Sequence, residues 1–198
     1  MRKRSCSSRS AKASRIRRRC GPRGGRPAGS PAAARSVHAA AKVRSRDDIG
    51  ALVPELRATR GRVVFTNGVF DLLHVGHVRY LEFARNLGGI LIVGINSDAS
   101  VRALDKAPGR PIVPAAERAE LVAALECVDY VCVFDELRPD ETLRAIKPDI
   151  HVKSAAYQIA DLPEAKTVAE IGASIVLAPH VEGRSTSDLV RRIRETGA

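Results

Sequence analysis

The chain has 198 residues, 44% of them hydrophobic, which is enough to build one domain of ordinary size with an extension attached. No apolar run approaches the roughly 20 residues that cross a bilayer, so a membrane-spanning helix is not expected. The net charge of +11 would point to a nucleic-acid binder if it were evenly spread, but residues 1–46 hold 15 of the 33 Lys and Arg and none of the 22 Asp and Glu, leaving 18 basic against 22 acidic residues beyond them.

Residues 1–46 are rich in Arg, Ser, Gly and Pro and poor in large apolar side chains. Such a segment cannot bury enough surface to offset its ordering entropy, so a disordered basic tail is expected there and a folded domain over 47–198. Three readings of the tail stay open: binding of nucleic acid or an anionic surface by counterion release, targeting, or an extension without function. It is Arg- and Ser-rich and acid-free like a transit peptide, yet it lacks an organised apolar face, and no apolar h-region of a secretory signal is present. Cys6 and Cys20 lie in the tail and Cys127 and Cys132 in an apolar stretch; none forms a C-x-x-C pair or a metal-ligand spacing, as expected of free thiols in a reducing cytoplasm.

Beyond the tail, helix and strand patterns alternate. Residues 47–59 carry Ile49, Leu52, Val53 and Leu56 at helical spacing. A strand over 62–66 is followed by a helix over 75–87 that ends at Gly88 and Gly89. The nearly continuous apolar run 90–95 reads as a parallel strand covered on both faces. A short helix over 99–104 and a proline-containing loop over 106–114 come next, then a helix over 114–125 with Pro114 in its first turn. Strands over 128–134, 150–152 and 174–178 alternate with helices over 139–146, 163–171 and 185–195, with a loop over 154–162. This order predicts an α/β fold, a Rossmann-like doubly wound parallel sheet of about five strands in a single domain.

In such a sheet ligands bind at the carboxyl ends of the strands, and the polar residues fall there: Asn67 and Asp71, Ser97 and Asp98, Asp135 and Glu136, Lys153, and the stretch from His180 to Ser187. The segment 62–81 is the richest. A strand that stops in a turn with Asn67, Gly68 and Asp71 and restarts as a helix presents unpaired N–H groups and a positive dipole end, suited to phosphate. His74 and His77, three apart, share a face of that helix's first turn, and Gly76 between them lets a ligand approach the backbone. Either histidine is otherwise readable as structural.

The string from Val64 to His77 resembles the H-x-G-H signature (His74, Val75, Gly76, His77) of the nucleotidyltransferase, or cytidylyltransferase-like, superfamily, and Gly183, Arg184, Ser185, Thr186 and Ser187 resemble its second signature, which opens the last helix. Within that superfamily the likeness is greatest to the adenylyltransferases that activate D-glycero-β-D-manno-heptose 1-phosphate. It rests on TNGVFDLLHVGHVRYLEFARNLG, VGINSDASVR, GRPIVPAAERAELVAALECVDYV, the Lys153 region and GRSTSDLV, and covers residues 61–193. Many relatives carry this domain fused to a sugar kinase, which is absent from this sequence.

The resemblance implies a cytoplasmic enzyme that transfers the adenylyl group of ATP to a sugar 1-phosphate, with Mg²⁺ bound through the substrate phosphates and no metal held by side chains. It implies catalytic roles for His74, His77 and Arg118, the last also readable as a solvated helix residue. Nucleotide contacts are implied for Thr66, Asn67, Gly68, Phe70, Asp71, Gly76, Ser185 and Thr186, and substrate contacts for Asp98, Lys106 and Lys153. The family's small members imply a homodimer, and nucleic acid enters only through the tail. The near alternative is a cytidylyltransferase acting on glycerol 3-phosphate; the distant one is a nucleotide or nucleic-acid binder without catalysis. The chain departs from the family at Val69, usually Cys, at Lys153–Tyr157, where relatives read K-G-G/A-D-Y, and in a loop around Lys106 one residue longer than usual. The second departure bears on the acceptor more than on nucleotide transfer.

Overall fold

The computed structural model describes residues 39–105, 108–179 and 186–197. Lys106, Ser185 and most of the basic tail lie outside them. Five parallel strands, β1 (Val63–Gly68), β2 (Ile90–Asn96), β3 (Tyr130–Phe134), β4 (Ile150–Ser154) and β5 (Ser174–Ala178), form one sheet in the order β3-β2-β1-β4-β5. The helices are α1 (Ala39–Lys42), α2 (Arg46–Arg60), α3 (Val75–Arg85), α4 (Asp98–Ala103), α5 (Ala115–Ala123), α6 (Asp140–Ile146), α7 (Ala165–Glu170) and α8 (Thr186–Glu195). A short 3₁₀ turn, Ile159–Asp161, interrupts the long loop after β4.

The two-residue period of the strands sorts the core into two layers. Val64, Leu91, Val93, Ile95 and Val131 point to one face and meet Leu81 and Ala84 of α3 and Ala119 and Val122 of α5. Val63, Phe65, Ile90, Ile92 and Cys132 point to the other and meet Ile49 and Val53 of α2, Leu143 and Ile146 of α6 and Val168 of α7. Because both faces are covered, all seven residues of β2 are buried, as the nearly continuous apolar run over 90–95 predicts for six of them. Gly50 lets α2 and α6 approach closely: a β-carbon there would lie 2.6 Å from the Ala145 carbonyl oxygen. Cys127 and Cys132 are free thiols, and burial pushes Cys132 up to about 12. Among the described residues no helix is long and apolar enough to cross a membrane.

The domain begins earlier than residue 47. Ala39 and Val43 pack on the α3/α5 layer, the Lys42 ammonium donates to the carbonyls of Leu125 (3.2 Å) and Val128 (2.8 Å), and Val43 bridges in parallel to Val131. Residues 39–46 thus cover the outer edge of β3, which would otherwise present unpaired backbone groups. Composition averaged over residues 1–46 hides this short apolar and pairing stretch.

Candidate active site

β2 and β3 lie to one side of β1, β4 and β5 to the other, so the connections diverge at the β1–β4 junction and leave a cleft above the carboxyl ends of those strands. The cleft holds about 560 Å³ and is lined by Asn67, Gly68, Phe70, His74, Gly76 and His77, with Tyr80, Arg110, Lys153, Glu164 and Thr186 around them. β1 runs two residues further than its apolar pattern, so Asn67 and Gly68 are its last residues, not part of the turn. Phe70 takes a left-handed conformation (φ 48°), uncommon for a residue with a side chain. Two neighbours pin it: the Val69 carbonyl accepts from Arg118 Nη1 (2.6 Å), and Asp71 is held from both sides of its carboxylate.

This turn delivers the chain to α3 with His74 as its N-terminal cap, in extended backbone, and His77 in the first turn. Their rings stack with centroids 3.8 Å apart, and the Phe70 ring tilts against His77 at 5.1 Å. Burial, then neighbouring His74 and Arg110, push the His77 imidazole down to about 4, so it is neutral at pH 7. Its Nδ1 is buried without a hydrogen-bond partner among the described residues, and so is Arg110 Nη2. Buried polar atoms left in this state at a helix N-terminus, where backbone N–H groups also point outward, fit an anionic ligand.

Arg110 reaches the cleft through Asp71. One carboxylate oxygen of Asp71 accepts from the backbone N–H groups of Ile112 and Val113, each at 2.9 Å, and the other pairs with Arg110 Nε at 3.1 Å. Asp71 is therefore buried beneath the site and fastens the loop before α5 over it. Arg118 takes the opposite part. Its side chain is fully buried, with Nε on the Val113 carbonyl (2.8 Å), Nη1 on Val69 and Nη2 on Asp98 (2.7 Å). It lines no part of the cleft and joins the β1 turn, the Val113 loop and the start of α4. Asp98 is its counter-ion, while Ser97 caps α4.

On the β4 side the Lys153 ammonium donates to Asn67 Oδ1 (3.2 Å) and pairs with Glu164 (2.7 Å), which His151 also meets at 3.2 Å. Thr66 is buried behind the cleft, its hydroxyl 2.6 Å from that of Tyr80, both within bonding distance of the Val152 carbonyl. Thr186, the first residue of α8, closes the far wall with its hydroxyl 3.5 Å from the Leu72 carbonyl.

The fold thus brings Asn67, Gly68, Phe70, His74, Gly76, His77, Lys153 and Thr186 to one cleft and leaves Thr66, Asp71, Asp98 and Arg118 beneath or beside it. Sequence reasoning passed over Arg110, Tyr80 and Glu164. Arg110 stands in an aperiodic Gly-Arg-Pro loop, and the only sequence signal for it is a basic residue in a glycine-containing loop after β2. Among the described residues no group of three or more His, Cys, Asp or Glu could hold a metal ion. Glu164, which lines the cleft, and Asp71 beneath it are already engaged by cations.

A family model described as cytidylyltransferase-like matches residues 65–192. The chain belongs to the cytidylyltransferase-like family. It is similar to the bifunctional protein HldE of Trichlorobacter lovleyi, 46% identical over 154 residues that cover 78% of this chain and 31% of that protein. It is likewise similar to the bifunctional protein HldE of Streptomyces coelicolor, 48% identical over 160 residues, or 81% and 34% of the two chains. This cytidylyltransferase-like chain therefore spans about a third of the length of the curated relatives it matches. Among solved structures it resembles the lipopolysaccharide core biosynthesis protein of Thermoplasma volcanium, at 27% identity and a TM-score of 0.52 over 62% of this chain and 98% of that one. Membership of the family makes it a nucleotidyltransferase.

Proposed function

We propose that the chain transfers the adenylyl group of ATP to a sugar 1-phosphate, heptose 1-phosphate foremost, giving an ADP-sugar and pyrophosphate. The observation that carries this reading is the stacked His74–His77 pair at the N-terminus of α3 with Arg110 above it, a set of donors gathered at the switch point of the sheet. The resemblance of the chain's motifs to the heptose 1-phosphate adenylyltransferases favours ATP and a heptose over other pairs.

On this reading an oxygen of the sugar phosphate bonds to the α-phosphorus of ATP while the bond from that phosphorus to the bridging oxygen breaks. Pyrophosphate leaves with the electron pair. The nucleophile is already ionised at neutral pH, so no side chain has to remove a proton. His74, His77, Arg110 and the α3 backbone N–H groups hold the phosphate chain and donate to its oxygens, catalysis resting on positioning and charge stabilisation. Mg²⁺ arrives with the triphosphate as part of the substrate. Thr186 adds a hydroxyl at the opening of α8, with Ser185 just before it in the sequence. A reaction between ATP and a sugar phosphate fits the cytoplasm.

The test is pyrophosphate release by purified protein supplied with each nucleoside triphosphate, Mg²⁺ and a panel of sugar 1-phosphates and polyol phosphates. Release with ATP and heptose 1-phosphate is expected. Release only with CTP and glycerol 3-phosphate would overturn the proposal in favour of the alcohol-phosphate reaction.

A further inference from the structure

Phosphate chemistry at the histidine pair leaves the opposite wall of the cleft without a task. There Glu164, with its side chain 3% exposed, stands just ahead of α7. One of its oxygens receives both the Lys153 ammonium at 2.7 Å and His151 Nε2 at 3.2 Å. A carboxylate only accepts, so the imidazole proton lies on Nε2. Burial outweighs the Glu164 contact at His151 and lowers its pKa, keeping that ring neutral. Burial opposes the charge on Glu164 as well, but the bonds from His151 and Lys153 prevail and hold its carboxyl at about 2. On its other side Lys153 donates to Asn67 at 3.2 Å, so one ammonium spans from the end of β1 to the start of α7.

A lysine is otherwise a mobile point charge on a flexible stem. Here two acceptors on different elements fix it, and a full negative charge 2.7 Å away balances it. A phosphate approaching that ammonium would be repelled by Glu164, whereas a neutral hydroxyl would not. The exposed ring of Tyr157, whose centroid is 5.7 Å from Nζ, adds an apolar face beside the donor. The two ends of the cleft therefore differ in kind: His77 Nδ1 and Arg110 Nη2 without hydrogen-bond partners among the described residues at one, and a balanced ion pair at Lys153 and Glu164 at the other.

We propose that Glu164 is a positioning residue that fixes Lys153 as an oriented, charge-balanced donor to a hydroxyl of the bound substrate, on the ribose of the nucleotide or on the acceptor sugar. This rests on the adenylyl-transfer reading for the identity of the substrates.

Wild type, Glu164→Gln and Lys153→Met are titrated with ATP, 2′-deoxy-ATP and 3′-deoxy-ATP without acceptor, and the KM for heptose 1-phosphate is taken from pyrophosphate release. Each variant is expected to weaken one substrate about tenfold, the scale of a hydrogen bond to a charged group, with kcat within about threefold. If the hydroxyl is on the ribose, ATP weakens while one deoxy analogue binds wild type and variants equally; if it is on the acceptor, only the KM of the sugar phosphate rises. Unchanged affinity for every substrate, or a hundredfold loss of kcat at constant KM, overturns the proposal. Melting temperatures accompany each titration, since Lys153→Met also takes the cation from the buried Glu164 carboxylate; should either variant fail to fold, Glu164→Asp, which keeps the carboxylate but draws it back from Lys153, takes its place with the same expected and overturning results. A wrong assignment of the reaction shows separately, as wild-type protein that releases no pyrophosphate, while the ATP titrations still read the Lys153 donor.

Discussion

Two arginines near the cleft divide support from contact, and only one of them was marked in the sequence. The resemblance gives Arg118 a catalytic role, yet all three of its donating nitrogens are spent on Val113, Val69 and Asp98 inside the fold. Arg110 carries a buried Nη2 with no hydrogen-bond partner among the described residues and lies close enough to His77 to lower its pKa. Spacing along a chain does not tell which way a guanidinium points, since that depends on acceptors 20 and 49 residues away. The His74–Gly76–His77 cluster was legible because its parts are neighbours in one helical turn. The two arginines should separate on mutation. Arg118→Met leaves the Asp98 charge and two carbonyls without their donor and is expected to cost roughly 3–5 kcal/mol of stability, read as a large fall in melting temperature. Arg110→Met also takes the cation from the buried Asp71 carboxylate and should lower the melting temperature too, but in the folded protein it should lower kcat/KM by about 10²-fold, the scale of one transition-state donor, whereas Arg118→Met should not. The reverse pattern would return the phosphate contact to Arg118.

At the scale of elements, the strands were the most readable part, because burial on both faces leaves an apolar run that few other structures share. β1 was read two residues short: Asn67 and Gly68 are polar or small, yet they pair in register with Gly94 and Ile95 of β2. The segment 39–46 was unreadable for a different reason. Its contacts, Lys42 to Leu125 and Val128 and Arg46 to Glu136, join residues 83 to 90 positions apart, and four helical residues give too short a window for periodicity. A protein beginning at Asp47 loses these bonds, the Val43–Val131 bridge and the Ser45 cap of α2, and exposes the edge of β3. A cap and a hydrogen bond are each worth about 1 kcal/mol. It should therefore melt several degrees below a protein beginning at Val37, at about 2–4 °C per kcal/mol for a domain of this size. Equal melting temperatures would show that the segment adds nothing to the fold.

For the whole molecule, moving the start of the fold to residue 39 transfers Lys42, Arg44 and Arg46 to the domain, which then carries 21 basic against 22 acidic residues. Residues 1–38 carry +12 and the domain −1, so the net charge of +11 comes from the tail and the domain is close to neutral. Its pH response therefore comes from particular buried groups. His77 titrates near 4 in the fold and near 6.5 in the unfolded chain, so between those values the unfolded state binds the extra proton. Its contribution to stability is complete above pH 6.5 and is lost as pH falls toward 4, amounting to about 3 kcal/mol. His151, also lowered by burial, acts with the same sign. Glu164 extends the loss to lower pH: held at about 2 against an ordinary 4.5, its stabilisation disappears as pH falls through that window. The melting temperature should fall by about 3–5 °C per pH unit from His77 alone between pH 6.5 and 4. His77→Gln should flatten that stretch of the curve and leave the fall below pH 4.5 in place. Saturating ATP should flatten it too, because phosphate charge beside His77 favours its protonated form. A wild-type curve that matches His77→Gln between pH 6.5 and 4 would mean that the histidine is not held neutral by burial, and that the cleft around it is open to water.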